Sequence, residues 1–173
     1  MKPVICAHLI IYCMATAFIP TANAAVANGT FQVLITIQKA CTVTAGSGSN
    51  ISLGTVNSSA TNTTGSNTIS VTCSKTTPYF IGLAPSNSNT LGAGIMSSVA
   101  NSATNTDKVP YQLNQTSPTG PIWGNTATTT TVGNGVAGTG SGAAQSITVY
   151  ATAASANFTP DSYADTVTVN VNY

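Results

Sequence analysis

The segment FQVLITIQKAC, residues 31–41, decides how this fold is completed. Every second residue at its start is apolar, namely Phe31, Val33, Ile35 and Ile37. The residues between them are polar except for Leu34, and this period of two is typical of a strand with one buried face. The segment lies near the start of the chain, where a strand is free to pair with its own domain or with another. The question is which core its apolar face enters.

The first 24 residues, MKPVICAHLIIYCMATAFIPTANA, have the features of a secretory signal peptide. Lys2 precedes an apolar run from Val4 to Ile19, and the small residues around Asn23 predict cleavage after Ala24. An uncleaved membrane anchor is the alternative, but the apolar run is short and has no stop-transfer flank. We therefore expect residues 1–24 to be removed on export.

The chain that follows Ala24 is electrically neutral and contains no Arg, Glu or His. Its charged residues are three lysines and three aspartates, namely Lys39, Lys75, Lys108, Asp107, Asp161 and Asp165. A nucleic-acid or anionic-membrane partner would require clustered Lys or Arg to neutralise phosphate, so no nucleic-acid partner is expected. A net charge of zero also weakens the repulsion between copies, which favours self-association.

Groups that titrate or attack near neutral pH are almost absent from the exported chain. Asp161 and Asp165 lie four residues apart, but in FTPDSYADT they follow a Pro and flank a Tyr, as turn and strand-entry residues commonly do. A calcium site would need Asp107 to join them, and the spacing matches no calcium loop. We expect no enzyme activity, no catalytic residues, no metal and no cofactor.

Two cysteines remain after cleavage, Cys41 and Cys73. In an oxidising compartment they are expected to form one disulfide, which would contribute about 3–4 kcal/mol through the loop that it closes. A zinc site is the competing interpretation, but two thiolates without His or Glu cannot complete a shell of four ligands.

The rest of the sequence predicts one all-β domain, a sandwich or a barrel. No stretch has sustained helical periodicity, and clusters of Ser, Asn and Gly separate short β-branched or aromatic runs. The predicted strands are Cys41–Ala45, Ile51–Val56, Thr68–Ser74, Tyr79–Ala84, Val109–Asn114, Thr128–Val132, Ser146–Thr152 and Thr166–Tyr173. Residues 86–106 are predicted to be a long connection, and residues 133–144 a flexible loop.

The last predicted strand, TVTVNVNY, alternates apolar and polar residues to its end. Its apolar members are Val167, Val169, Val171 and Tyr173. A sandwich accepts such a strand at an edge, where one row of backbone N–H and C=O groups stays unpaired unless another strand arrives.

Four blocks of the sequence resemble the spore coat protein U family, which includes subunits of archaic, Csu-type chaperone-usher pili. The blocks, in this order, are TFQVLITIQKACTV, SVTCSKTTPYFIGLA, VPYQLNQTSPTGPIWGN and SYADTVTVNVNY. The most specific features are the paired cysteines and the pattern of Tyr163, Asp165, Thr166 and Val167. Ile95 stands before Met96 where the family often has a basic residue.

The resemblance implies an incomplete immunoglobulin-like β-sandwich, completed by a donated N-terminal strand from a neighbouring subunit. Residues 25–38 would be the donor segment and residues 39–173 the domain. The donor strand residues would be Phe31, Val33, Ile35 and Ile37. The C-terminal edge strand that contacts the chaperone or the donor would contain Val167, Val169, Val171 and Tyr173.

The resemblance also implies the partners, the location and the role of the protein. The partners would be identical or homologous subunits arranged head to tail, a periplasmic chaperone and an outer-membrane usher. The protein would pass through the periplasm into a surface fimbrium as a shaft or minor adaptor subunit that supports attachment and biofilm formation.

Two alternatives remain open. One is a secreted coat protein that assembles on a spore or cell surface without an usher. The other is a monomeric β-sandwich that binds a glycan through Trp123, in GPIWGN, although a Trp at this place can equally cover the end of the core.

Overall fold

The computed structural model describes residues 24–173 of the chain. The expected signal peptide, residues 1–24, lies outside the described residues except for Ala24. None of the helices in the described part is long and apolar enough to cross a membrane. The chain divides into two units, Met1–Thr36 and Ile37–Tyr173, and all strands of the described residues belong to the second.

Nine strands and one short 3₁₀ turn make up the second unit. The strands are β1 (Cys41–Thr44), β2 (Thr61–Cys73), β3 (Pro78–Pro85), β4 (Ala93–Ser98), β5 (Lys108–Asn114), β6 (Val136–Thr139), β7 (Ala144–Ser155), β8 (Tyr163–Ala164) and β9 (Val167–Asn172). The 3₁₀ turn covers Ser47–Ser49.

The strands form two sheets in which every pairing is antiparallel. The larger sheet has six strands in the order β1-β2-β7-β5-β4-β8, and the smaller one has three in the order β6-β3-β9. Buried residues of both sheets form one hydrophobic core between them. The predicted all-β fold is therefore confirmed, and of the two predicted architectures it is a two-sheet sandwich.

Alternation of side chains along the strands builds this core. In β2, every second residue near the end of the strand is buried, namely Ile69, Val71 and Cys73. From the smaller sheet, Ile81 and Leu83 of β3 are at most 1% exposed and pack into the same cluster. Both β2 and β3 are interior strands of their sheets, with a neighbouring strand on each side.

Two of the predicted connections contain strands. β4 lies within residues 86–106, where it pairs with β5 and β8, and β6 lies within the predicted flexible loop 133–144. The prediction of a flexible loop is wrong at β6 because Ala137 and Gly138 pair with β3, although the local sequence has no alternating pattern. Backbone pairing with a distant strand, and not local propensity, orders this segment.

Two predicted strands are absent from the structure. Residues 51–56 pair with no strand among those described, although Ile51 and Leu53 pack against the core. Residues 128–132 form a turn in which the Thr128 side-chain oxygen accepts a hydrogen bond from the Thr131 N–H at 3.1 Å. Such hydroxyl bonds to the local backbone compete with strand pairing, which explains why the β-branched residues there do not extend.

Candidate assembly groove

The smaller sheet has an open edge at β9. β9 pairs with β3 in the register that runs from Phe80↔Asn172 to Pro85↔Val167, and no strand of the described residues pairs with its other side. The larger sheet ends at β1, which pairs only with β2 in this part of the chain and lies beside β9. An open edge presents unpaired N–H and C=O groups to which a further strand can add.

A groove of about 450 Å³ lies between the sheets beside β9. Its deepest residues are apolar and at most 5% exposed, namely Ile69, Leu83, Leu113 and Val149. Val167 and Val169 of β9 also line it, as do Ile51 and Leu53 from the segment that follows β1. The groove therefore combines an apolar lining with an unpaired strand edge.

Asp165 is the one charged side chain among the described residues that line this groove. The Tyr111 hydroxyl donates a hydrogen bond to Asp165 Oδ2 at 2.8 Å, and the Thr166 N–H donates one to Asp165 Oδ1 at 2.8 Å. Burial, the hydrogen bond to Asp165 and the charge of Asp165 together raise the pKa of the Tyr111 hydroxyl above its ordinary value. Gly94 pairs with Tyr111 across the sheet, and a side chain at Gly94 would overlap the Tyr111 ring.

The predicted donor segment is irregular and has no secondary structure over residues 24–40. Its apolar face is exposed in the described chain, with Phe31 at 88%, Val33 at 87%, Ile35 at 85% and Ile37 at 82%. The predicted strand with a buried face is therefore not formed within the single chain. Large exposed apolar patches are typical of interaction sites, and the role of these four residues as a donor strand stays a prediction.

The C-terminal strand β9 lies at an edge of the smaller sheet, the position that the family resemblance implies. Val167, Val169 and Val171 are half-buried and pack against the core, while Tyr173 is one residue beyond the end of β9 and is 43% exposed. Contact of these residues with a chaperone or a donor strand stays a prediction.

Cys41 and Cys73 are register partners in β1 and β2, and a disulfide joins them. Cys73 is 1% exposed, so the bond fastens the open-edge strand β1 to the core. The neighbouring backbone supports this attachment, because the Ser74 N–H donates to the Ala40 carbonyl at 2.9 Å.

The other two carboxylates hold loops together away from the groove. Ser98 Oγ and Asn105 Nδ2 each donate a hydrogen bond to Asp161 Oδ2. The bond from Ser98 has the largest effect and the bond from Asn105 the next, and they lower the pKa of Asp161 to about 2. Asp107 Oδ2 accepts from the Thr159 hydroxyl and N–H, which lowers the pKa of Asp107. Within residues 24–173 no three His, Cys, Asp or Glu residues stand close enough to hold a metal.

Trp123 belongs to the core. Its exposure is 0%, and its indole Nε1–H donates to the Ile81 carbonyl at 2.9 Å. A sugar-stacking platform needs an accessible ring face, so Trp123 cannot serve as one in this structure. The glycan-binding alternative thereby loses the residue on which it depended.

The sequence predicts the strands whose residues line the groove, but it does not predict that these strands meet around one cavity. Ile69, Leu83, Leu113 and Val149 come from four different strands, and nothing in their local patterns predicts that they share one cavity. Asp165 is expected only as a turn or strand-entry residue, and the structure shows that it lines the groove two residues before β9 begins.

Comparison with known proteins supports the resemblance. Residues 27–170 match the family model of the Spore Coat Protein U domain, so the chain belongs to that family, as predicted. No curated protein matches the chain. A similar solved structure is the crystal structure of the CsuC-CsuE chaperone-tip adhesion subunit pre-assembly complex from archaic chaperone-usher Csu pili of Acinetobacter baumannii. It has 20% sequence identity and a TM-score of 0.47, and the match covers 80% of this chain but only 40% of that chain.

Proposed function

We propose that this member of the Spore Coat Protein U domain family is a structural, non-enzymatic subunit of a chaperone-usher surface pilus, as a shaft or minor adaptor subunit. The donor segment, residues 25–38 of one copy, completes the sandwich of the next copy, residues 39–173. The observation that carries the proposal is that one chain has two complementary features. It has an exposed apolar face with the period of a strand, and an open apolar groove beside a strand edge that no described strand pairs with.

The energetics favour filling the groove with that face. Burial of Phe31, Val33, Ile35 and Ile37 would contribute about 1.5–3 kcal/mol each, or about 6–12 kcal/mol in all. Backbone hydrogen bonds to β9 would be added, because strand addition satisfies an open edge. The interaction is head to tail, so it propagates into a filament and does not close.

The same features predict how the subunit reaches the surface. A groove and a donor segment that are both apolar would associate nonspecifically before assembly, so a periplasmic chaperone must cover the β9 edge first. An outer-membrane usher would then add subunits to a fimbrium that supports attachment and biofilm formation.

A deletion tests this function. Chains of residues 25–173 and 39–173 are each run unboiled on a denaturing gel and imaged by negative-stain electron microscopy. A matched control carries Gln32→Ser, Thr36→Ser and Gln38→Ser, which change only the polar face of the segment. We expect a ladder and thin fibres from the intact chain and the control, and neither from the deletion. A stable, intact monomer that the deletion merely unfolds would contradict the proposal.

A second candidate function is a secreted coat protein that assembles without an usher, which the name of the Spore Coat Protein U domain family favours. The two functions differ in their genetic neighbours and in their requirements. A chaperone gene and an usher gene beside this one, and loss of surface assembly when either is deleted, would indicate the pilus. Surface assembly that is unchanged by both deletions would indicate the coat protein.

A further inference from the structure

We propose that the donor segment lies antiparallel to β9 of the next copy in one register, in which Lys39 of the donor meets Asp165 of the acceptor. This inference rests on the proposed function, and it specifies how two copies recognise each other.

Opposite charges on the donor segment and in the groove favour this register. Residues 25–40 contain one charged residue, Lys39, and the described lining of the groove contains one, Asp165. Both oxygens of Asp165 already accept hydrogen bonds, from Tyr111 and from the Thr166 N–H, so the carboxylate is held in place. Each carboxylate oxygen has capacity for a further bond, which an ammonium group can donate.

Spacing is the second argument. Lys39 lies two residues after Ile37, and Asp165 lies two residues before Val167, so each charge shares a face with the apolar row beside it. An antiparallel register that sets Lys39 against Asp165 also pairs Ile37 with Val167, Ile35 with Val169, Val33 with Val171 and Phe31 with Tyr173. On the outer face the same register pairs the polar residues Gln32 with Asn172, Thr36 with Thr168 and Gln38 with Thr166, while Leu34 stands opposite Asn170.

The neighbouring registers are unfavourable. A slip of one residue turns the apolar row outward. A slip of two residues in one direction places Ile37 against the charge of Asp165. The same slip in the other direction places Lys39 against Val167, over the apolar floor of the groove, where an unpaired ammonium group is costly.

The pair is assigned to two copies, because the connectivity of one chain puts Lys39 near the end of β9 that is remote from Asp165. Cys41 pairs with Cys73, the last residue of β2, and β3 begins soon afterwards at Pro78 and pairs with β9 near Asn172. Asp165 precedes Asn172 by seven positions, which in extended backbone is a distance of about 23 Å. Lys39 is two residues from Cys41 and is therefore held within about 7 Å of it.

Cysteine cross-linking reports the register. The chain from Ala25 carries Gln38→Cys with Thr166→Cys, the expected partner, or Gln38→Cys with Thr168→Cys, displaced by two residues. Directly opposed strand residues have Cα atoms about 4.5–5.5 Å apart, which suits a disulfide. We expect a ladder that survives boiling without reductant from the first pair and not from the second. A ladder from the second pair alone would overturn the register.

Charge exchange tests the contact itself. Lys39→Asp and Asp165→Lys should each speed the dissociation of assembled chains about two- to fivefold, the scale of a partly exposed ion pair. The two changes combined should restore the parent rate. Asp165→Asn keeps an acceptor for Tyr111, and Lys75→Asp is the matched control for an exposed lysine elsewhere. Lack of rescue in the combined variant would overturn the pairing.

The two tests separate the register from the function on which it rests. If the parent chain forms no ladder at all, the proposed function fails. If the parent polymerises and the deletion of residues 25–38 abolishes this, but the cross-links form in another register, only the further inference fails.

Discussion

Ile35 lies in the middle of the apolar face of the donor segment, and its substitution by Ala gives the sharpest measure of what holds two subunits together. Ile35 is 85% exposed in the described single chain, so the substitution removes almost no contact from the unassembled domain. In the proposed assembly the same side chain would enter the groove opposite Val169. The free energy of assembly should therefore change, while the free energy of unfolding of a single chain should not.

The magnitude follows from the atoms removed. Ile→Ala deletes three carbon groups, and at about 0.8 kcal/mol for each buried group the assembly loses about 2.4 kcal/mol. At about 1.4 kcal/mol for each factor of ten, this loss raises the dissociation constant between two subunits about 60-fold. The control is Thr36→Ala on the outward face, for which we expect a change of less than about 0.5 kcal/mol.

Unboiled gels of fibres incubated in increasing denaturant measure the midpoint of dissociation for the parent, Ile35→Ala and Thr36→Ala. We expect the Ile35→Ala fibres alone to dissociate at clearly lower denaturant. Mixed assembly adds a directional test, because an Ile35→Ala chain should still accept a parent donor normally. Equal midpoints for the two variants would refute the reasoning, since inward and outward residues would then be equivalent.

Three further predictions concern the domain itself. Replacing Cys41 and Cys73 by Ser should lower the free energy of unfolding by about 3–4 kcal/mol, as measured by urea denaturation with matched reduced samples of the parent. The pKa of the Tyr111 hydroxyl is raised in the folded chain, so as the pH rises the hydroxyl ionises in the unfolded chain before it does so in the folded one. The stability that Tyr111 contributes is therefore intact below about pH 10 and declines above it. Thermal melts should show that decline in the parent and less of it in Tyr111→Phe. The pKa of Asp161 is lowered in the folded chain, so the stability that this carboxylate contributes is present above the unfolded pKa of about 3.9 and is lost as the pH falls toward 2. Melting temperatures of Asp161→Asn should therefore fall less than those of the parent over this acidic range.

Several features could be predicted from the sequence because they depend on local pattern. The period of two in residues 31–37 and in residues 166–173 identifies the apolar faces of two strand-like segments, whichever partner they meet. The prediction that Cys41 pairs with Cys73 needs only the count of cysteines after Ala24. The expectation of neither catalysis nor nucleic-acid binding rests on composition alone, because residues 25–173 contain no His, Glu or Arg.

Other features depend on which distant segments meet, and only the tertiary structure decided these. β6 is a strand because its backbone pairs with β3. Trp123 is buried because its ring packs in the core and its indole N–H donates a hydrogen bond to the Ile81 carbonyl. The alternation in residues 31–37 is enough to predict an apolar face that needs cover. The edge of β9 that is open among the described strands, and the apolar groove that four strands leave beside it, could be found only in the folded chain, because long-range pairing and not local periodicity produces open edges and cavities.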